Sequence, residues 1–140
     1  MQIEKATTAD IHSVERLLYY CVGDSAKREA GEYLENENTL TLLAKSDGKD
    51  VGFITVLIFL DCCDLLDIAV DENYRRQGIG KALFEKMLEL TKVTTVTLEV
   101  RESNSGAREF YERLSFKKIS VRKNYYTAPT EDAVIYQREI

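Results

Sequence analysis

The chain has 140 residues, 44% of them hydrophobic and 31% charged, with a net charge of −5. That is the size of one domain with room for a core, and the balance is that of a soluble globular protein. No run reaches the roughly 18 apolar residues of a membrane span, and the acidic balance disfavours nucleic acid as a direct partner.

The opening Met1-Gln2-Ile3-Glu4-Lys5 has no apolar signal segment, so a cytoplasmic chain is expected. Three cysteines, Cys21, Cys62 and Cys63, make an odd count without paired spacing, which argues against a disulfide framework. A single histidine, His12, and no Cys-x-x-Cys give no reason to expect a metal site. Charge is uneven: residues 1–70 hold 6 Lys/Arg against 13 Asp/Glu, and residues 71–140 hold 13 against 11. A C-terminal half that accepts a polyanion and an N-terminal half that accepts a cation would look like this, as would an ordinary solvated surface.

Gln2 to Ala6 reads as a short first strand. Thr7, Thr8 and Asp10 supply helix-start chemistry. Ile11, Val14, Leu17, Leu18 and Cys21 then recur at helical spacing, predicting a helix over about 9–21 that Gly23 can end. A more polar, acidic helix is expected from Ser25 to Leu34. Thr39 to Lys45 and the nearly all-apolar Val51 to Leu60 read as strands joined at Asp47-Gly48, a hairpin signal. Cys63 to Val70 is a further strand, in which Cys62 and Cys63 would point to opposite faces. The apolar set Ile79, Leu83, Phe84, Met87, Leu88 and Leu90 marks a helix from Gln77 or Gly78 to about Thr91. Thr94 to Val100 is a β-branched strand, Asn104 and Ser105 can cap a helix over 106–114, Lys117 to Arg122 is a strand, 123–131 a loop holding the single Pro129, and Asp132 to Arg138 a last strand. The order β-α-α-β-β-β-α-β-α-β-β predicts an α/β fold: a mixed, mostly antiparallel sheet of about seven strands with helices on both faces, in one domain over 1–140.

Two segments carry chemistry. The first runs from Leu66-Asp67-Ile68-Ala69-Val70-Asp71 through Arg75-Arg76-Gln77-Gly78-Ile79-Gly80-Lys81. A strand leads into two glycines and a helix start, where free amides and the helix dipole favour an anion. Glycine lets the backbone approach a phosphate, and Arg75, Arg76 and Lys81 add positive charge. The loop is not a Walker loop, since Ala82 follows Lys81. It is not a full dinucleotide fingerprint either, since Leu83 stands where the third glycine belongs. Arg75-x-x-Gly78-x-Gly80 resembles the acetyl-CoA pyrophosphate loop of the GNAT N-acetyltransferase superfamily.

The second segment is Leu98-Glu99-Val100-Arg101-x-Ser103-Asn104, followed by Phe110-Tyr111-Glu112-Arg113-Leu114-x-Phe116. A carboxylate inside a β-branched strand is unusual; the residues alone leave Glu99 either functional or on an exposed polar face. With Asp67-Ile68-Ala69-Val70-Asp71 and the late Asn124-Tyr125-Tyr126 and Glu131-Asp132-Ala133, this closely resembles the bacterial ribosomal-protein-alanine N-acetyltransferase branch of that superfamily. The resemblance covers roughly residues 65–136.

It implies an acetyl-CoA-dependent acyltransferase, with acetyl-CoA as co-substrate and no metal. Ile68, Ala69 and Val70 would lie beside the pantetheine arm, on a strand that splays from the next. Arg75, Arg76, Gln77, Gly78, Ile79, Gly80 and Lys81 would hold the pyrophosphate, and Asn104 would touch the cofactor arm. Glu99 would be the general base and Tyr111 the general acid. The acceptor would be a protein N-terminal amine, with a small amine or a lysine side chain as the alternative and a non-catalytic CoA-binding module behind both. The protein would act without direct nucleic-acid or membrane binding, as a monomer or weak homodimer. The first half departs from the branch: Tyr20-Cys21-Val22-Gly23-Asp24-Ser25 replaces its usual Pro-Trp loop, and the chain has no tryptophan. Residues 20–37 and 123–131 would select the acceptor, the acidic stretch from Glu29 to Glu37 drawing in cationic substrates.

Overall fold

The structure is a computed structural model that describes residues 1–140. Its strands are β1 (Gln2–Lys5), β2 (Thr39–Ser46), β3 (Lys49–Phe59), β4 (Cys62–Val70), β5 (Thr95–Arg101), β6 (Lys117–Tyr126) and β7 (Glu131–Glu139). Its helices are α1 (Ile11–Val22), α2 (Ala26–Glu35), α3 (Ile79–Thr91) and α4 (Ser105–Arg113). The sheet order is β1-β2-β3-β4-β5-β7-β6, the seven-stranded mixed sheet expected. No helix is long and apolar enough to cross a membrane.

Two compact units emerge: Met1–Phe59 with Leu65–Lys92, and Leu60–Asp64 with Val93–Ile140. In the first, Thr7 caps the helical entry through a reciprocal capping box with Asp10, as the Thr-x-x-Asp spacing allows. Gly23, at φ +64°, ends α1. Asp47 and Gly48 both have positive φ, the conformation a two-residue hairpin turn demands. The periodic residues Val14, Leu17 and Leu18 of α1 are buried with Ala26 and Ala30 of α2 against Leu43 and Phe53. Fully burying a leucine or phenylalanine contributes about 2–3 kcal/mol each, which fixes this helix pair on one sheet face. The helix α3 packs on the other face, because strand neighbours alternate and it is Gly52, beside Phe53, that meets Ile79 and Leu83.

In the second unit, β4 pairs with β5 in parallel over three residues only, from Cys62↔Thr95 to Asp64↔Thr97. The full length of β5 pairs antiparallel with β7, and β6 lies outside β7. Cys63 is buried and Cys62 exposed, the alternation expected of adjacent strand residues. One expectation is corrected here. β6 does not end at Arg122 but continues to Tyr126, and the expected loop over 123–131 shrinks to the four residues between β6 and β7. The strand survives because two extra residues are absorbed as a bulge: Arg122 pairs with Ala133 and Tyr126 with Glu131.

Gly52 supports the close seating of α3. A Cβ there would lie 3.2 Å from the Ala69 carbonyl oxygen, 3.2 Å from Ile79 Cγ2 and 3.3 Å from Leu83 Cδ1. Gly52→Val should therefore destabilise the protein by about 1–3 kcal/mol through overpacking, read as a lower urea midpoint with an unchanged slope.

Candidate active site

In the first unit the strand β4 ends with Ile68, Ala69 and Val70, all half-buried. Asp71 follows and turns the chain. Its amide donates to Val51 O at 2.8 Å, and its carboxylate accepts from the Asn73 amide at 3.0 Å. Arg16 Nη1 lies 3.4 Å from the same carboxylate, and Lys49 Nζ 3.9 Å. A buried carboxylate is stable only when paired in this way. Arg75 then folds back, its Nε donating to Val70 O at 3.2 Å.

Arg76 and Gly78 both take positive φ, +64° and +77°, and Gly78 is the N-cap of α3. The first bond inside the helix is from Ala82 N–H to Gly78 O at 3.0 Å. The amides before it have no acceptor within the helix, so they are free to bind an anion. The space around Gly78 is open: a Cβ built there meets no atom within 4 Å. Lys81 is exposed and loosely paired with Glu85 at 3.9 Å. Gly80 is buried on the inner side of the first turn. The donors, the open cradle and the basic rim fit a pyrophosphate.

An acidic cluster, in which the expected acidic helix meets Asp67, stands beside this strand. Tyr33 of α2 donates to Asp67 Oδ2 at 2.5 Å, and Ser25 donates to Glu29 Oε2 at 2.5 Å. Burial pushes the Asp67 carboxyl up to about 6, with the Glu29 charge adding to it and the Tyr33 bond opposing it. Burial likewise pushes the Cys21 thiol up to about 12, so Cys21 is no ready nucleophile. The signal available in advance was an aspartate between the apolar residues Leu66 and Ile68; its partner, 34 residues away, was not visible.

In the second unit Glu99 lies on the face of β5 opposite Leu98 and Val100, as the alternation required. Arg122 Nη1 of β6 pairs with Glu99 Oε1 at 2.9 Å. The Arg122 guanidinium also lies 5.6 Å from the Tyr125 ring centroid. Hydrogen bonding to Glu99 holds the Tyr125 phenol above its ordinary value. Asp64, whose register partner Thr97 is two residues before Glu99, is raised first by partial burial and then by the Glu99 charge, with Arg122 opposing.

Tyr111 sits in α4, 8% exposed, within an aromatic group. Its ring centroid is 5.5 Å from that of Phe110, 5.8 Å from Phe116 and 6.4 Å from Tyr136. Tyr136 pairs with Leu98, and Ile135 with Glu99, so Tyr111 and Glu99 stand on opposite faces of the β5–β7 ladder. Asn104 caps α4, its side chain accepting from the Ala107 amide at 3.2 Å.

A family model described as Acetyltransferase (GNAT) family matches residues 8–116. The chain belongs to this acetyltransferase family. It is 42% identical over 106 residues to the [ribosomal protein bS18]-alanine N-acetyltransferase of Escherichia coli strain K12, a match covering 72% of each chain. The Salmonella typhimurium enzyme of the same name is 38% identical over 106 residues, again 72% of each. The crystal structure of the ribosomal-protein-S18-alanine N-acetyltransferase from Escherichia coli superposes with a TM-score of 0.86 at 34% identity, covering 99% of this chain and 93% of that one. As a GNAT member the protein is an acetyl-CoA-dependent N-acetyltransferase.

Two outcomes test the geometry of the first unit. Gly78→Asp should fold, because a Cβ there meets no atom within 4 Å and aspartate tolerates the left-handed region better than most residues, yet it puts a carboxylate where the phosphates belong in the cradle reading. The Michaelis constant for acetyl-CoA should rise at least about tenfold, equivalent to roughly 1.4 kcal/mol, while Gly78→Asn should raise it less. An unchanged constant in Gly78→Asp would remove Gly78 from the cradle. The second outcome concerns Asp67. Its folded pKa lies above the unfolded value of about 3.9, so the folded state holds the proton more tightly. The stability this gives is present at low pH and is lost as pH rises from about 4 through about 6. Asp67→Asn should therefore look more favourable at pH 7.5 than at pH 4.5, by about 2 kcal/mol, in paired urea unfolding curves.

Proposed function

We propose that this enzyme transfers the acetyl group of acetyl-CoA directly to the N-terminal amine of a protein, of the ribosomal-protein-alanine type, in the cytoplasm, and that residues 1–140 act as one catalytic domain. The observation that carries the reading is the Glu99 carboxylate on the accessible face of β5, in a chain 42% identical to an enzyme named for acetylating a protein alanine.

In this reading Gln77 to Lys81 hold the pyrophosphate through main-chain N–H groups, with Arg75 and Arg76 at the rim. Ile68, Ala69 and Val70 offer strand backbone to the pantetheine arm, and Asn104 meets the arm near α4. Acetyl-CoA supplies the activated acyl group. An α-amino group has a pKa near 8 and arrives mostly protonated at neutral pH. Glu99 removes that proton, directly or through a water. The backbone of β5 beyond Thr97 has no β4 partner in the ladder, so a main-chain amide there is available to the carbonyl oxygen as charge develops. Tyr111, on the other face of the same strand, protonates the leaving thiolate. Base and acid on opposite faces of one strand suit a reaction that removes a proton from the incoming group and delivers one to the departing group. No covalent enzyme intermediate is required.

Purified protein with acetyl-CoA should release thiol on addition of a peptide with an N-terminal alanine, and more slowly with polyamines or an internal lysine peptide. A preference for the small amines would move the acceptor to that class. Glu99→Gln should lower kcat/KM by ~10²–10⁴-fold at pH 7, with partial recovery as pH rises and solvent supplies the free amine. Tyr111→Phe should lose rate without that recovery. Both should keep the acetyl-CoA Michaelis constant. Full activity of Glu99→Gln at pH 7 would return Glu99 to a structural role.

A further inference from the structure

Glu99 is gripped from one strand in a way that regular β structure forbids. Arg122 and Tyr125 are three residues apart on β6, and residues an odd number apart on a strand point to opposite faces. The two nevertheless come together at Glu99. Arg122 Nη1 stands 2.9 Å from Oε1, and the same guanidinium lies 5.6 Å from the Tyr125 ring centroid. The bulge makes this geometry. Between the pairs Arg122↔Ala133 and Tyr126↔Glu131, three residues of β6 oppose Asp132 alone. Asn124 takes φ +51° there. Asp132 holds the bulge shut, accepting from the Asn124 amide at 2.9 Å and from Lys123 Nζ at 3.1 Å. Those bonds keep the Asp132 carboxyl below its ordinary value.

A bulge of this kind re-aims side chains and is common beside functional sites. We propose that Arg122, with Tyr125, is a positioning residue that orients the Glu99 carboxylate for proton removal from the acceptor amine, and that the Asp132-held bulge exists to bring the two together. The inference rests on Glu99 being the base. The ion pair itself stabilises little, because Arg122 is 58% exposed and such pairs are screened. Its value is geometric: a base displaced by about 1 Å can cost up to ~10²-fold in rate.

A double-mutant cycle on the full-length protein, read as steady-state kinetics with an N-terminal alanine peptide, tests this. Arg122→Ala should lower kcat about ten- to a hundredfold while the acetyl-CoA Michaelis constant stays within about twofold. Adding Arg122→Ala to Glu99→Gln should cost little more, since there is no base left to orient. Millimolar methylguanidinium should restore part of the rate to Arg122→Ala and none to Glu99→Gln. Asp132→Asn, which keeps the size of the side chain but loses its charge, should reproduce a milder form of the Arg122→Ala loss. Additive losses in the double variant would overturn the proposal, as would full or raised activity of Arg122→Ala beside an impaired Glu99→Gln. Full activity of Glu99→Gln would instead overturn the assignment of the base. Equal melting temperatures of the variants keep these outcomes separate from unfolding.

Discussion

The constraint on which the first unit depends is the missing side chain at Gly52. It sits in the interior of β3, the strand with the longest buried run, and three neighbours crowd the place where a Cβ would be. One is the carbonyl of Ala69, on the strand that enters the anion loop. The other two are Ile79 and Leu83, on the helix that leaves it. The loop between is thus held at both ends by one close approach. Its middle can then adopt left-handed backbone at Arg76 and Gly78 without dragging the helix start away. Strain of that kind persists only where the surroundings over-determine it. Asp71 does the rest, because a 6%-exposed carboxylate accepting from its own turn and facing Arg16 and Lys49 pins the strand exit.

In the proposed reading the second unit meets a different demand, which is to keep a carboxylate accessible and still. Accessibility comes from the sheet: Glu99 occupies the face that α4 does not cover. Stillness comes from β6, where a local break in register sets Arg122 against the carboxylate and the Tyr125 ring against Arg122. Neighbouring Asp64 feels both charges: partial burial raises its carboxyl first, the Glu99 charge raises it further and Arg122 opposes that rise. The aromatic packing of Tyr111 against Phe110, Phe116 and Tyr136 fixes a ring on the other face.

The elements, and the strand–glycine–helix order of the loop after β4, were legible because both are written in local chemistry. Helical spacing in α1, the Asp47-Gly48 turn, Gly23 as a stop and the strand–glycine–helix order all act within a few residues. Glu99 was legible as an anomaly, a charge in a β-branched strand. The register of β6 was not, because a bulge depends on Asp132, eight residues beyond Asn124 and across a turn. The same applies to Asp67, which reads as a polar residue among apolar neighbours until Tyr33 arrives from α2. The insertion of β7 between β5 and β6 was equally invisible, since strand order is a matter of which edges meet.

This division follows from how the two tasks are done. Holding a pyrophosphate asks for backbone amides and for conformations that only certain residues permit, so the requirement is printed in the chain as glycines at fixed spacing. Activating an amine asks for side-chain oxygens at a fixed place, and that place is set by whatever strands happen to lie alongside. A backbone site therefore survives as a contiguous motif, whereas a side-chain site is assembled from β5, β6 and the turn beyond them. In the proposed reading, a motif of contiguous backbone is easier to see in sequence than a site assembled from several strands. Residues 20–25, which depart from the branch pattern, adjoin the Ser25–Glu29 and Tyr33–Asp67 contacts, which are of the second, assembled kind.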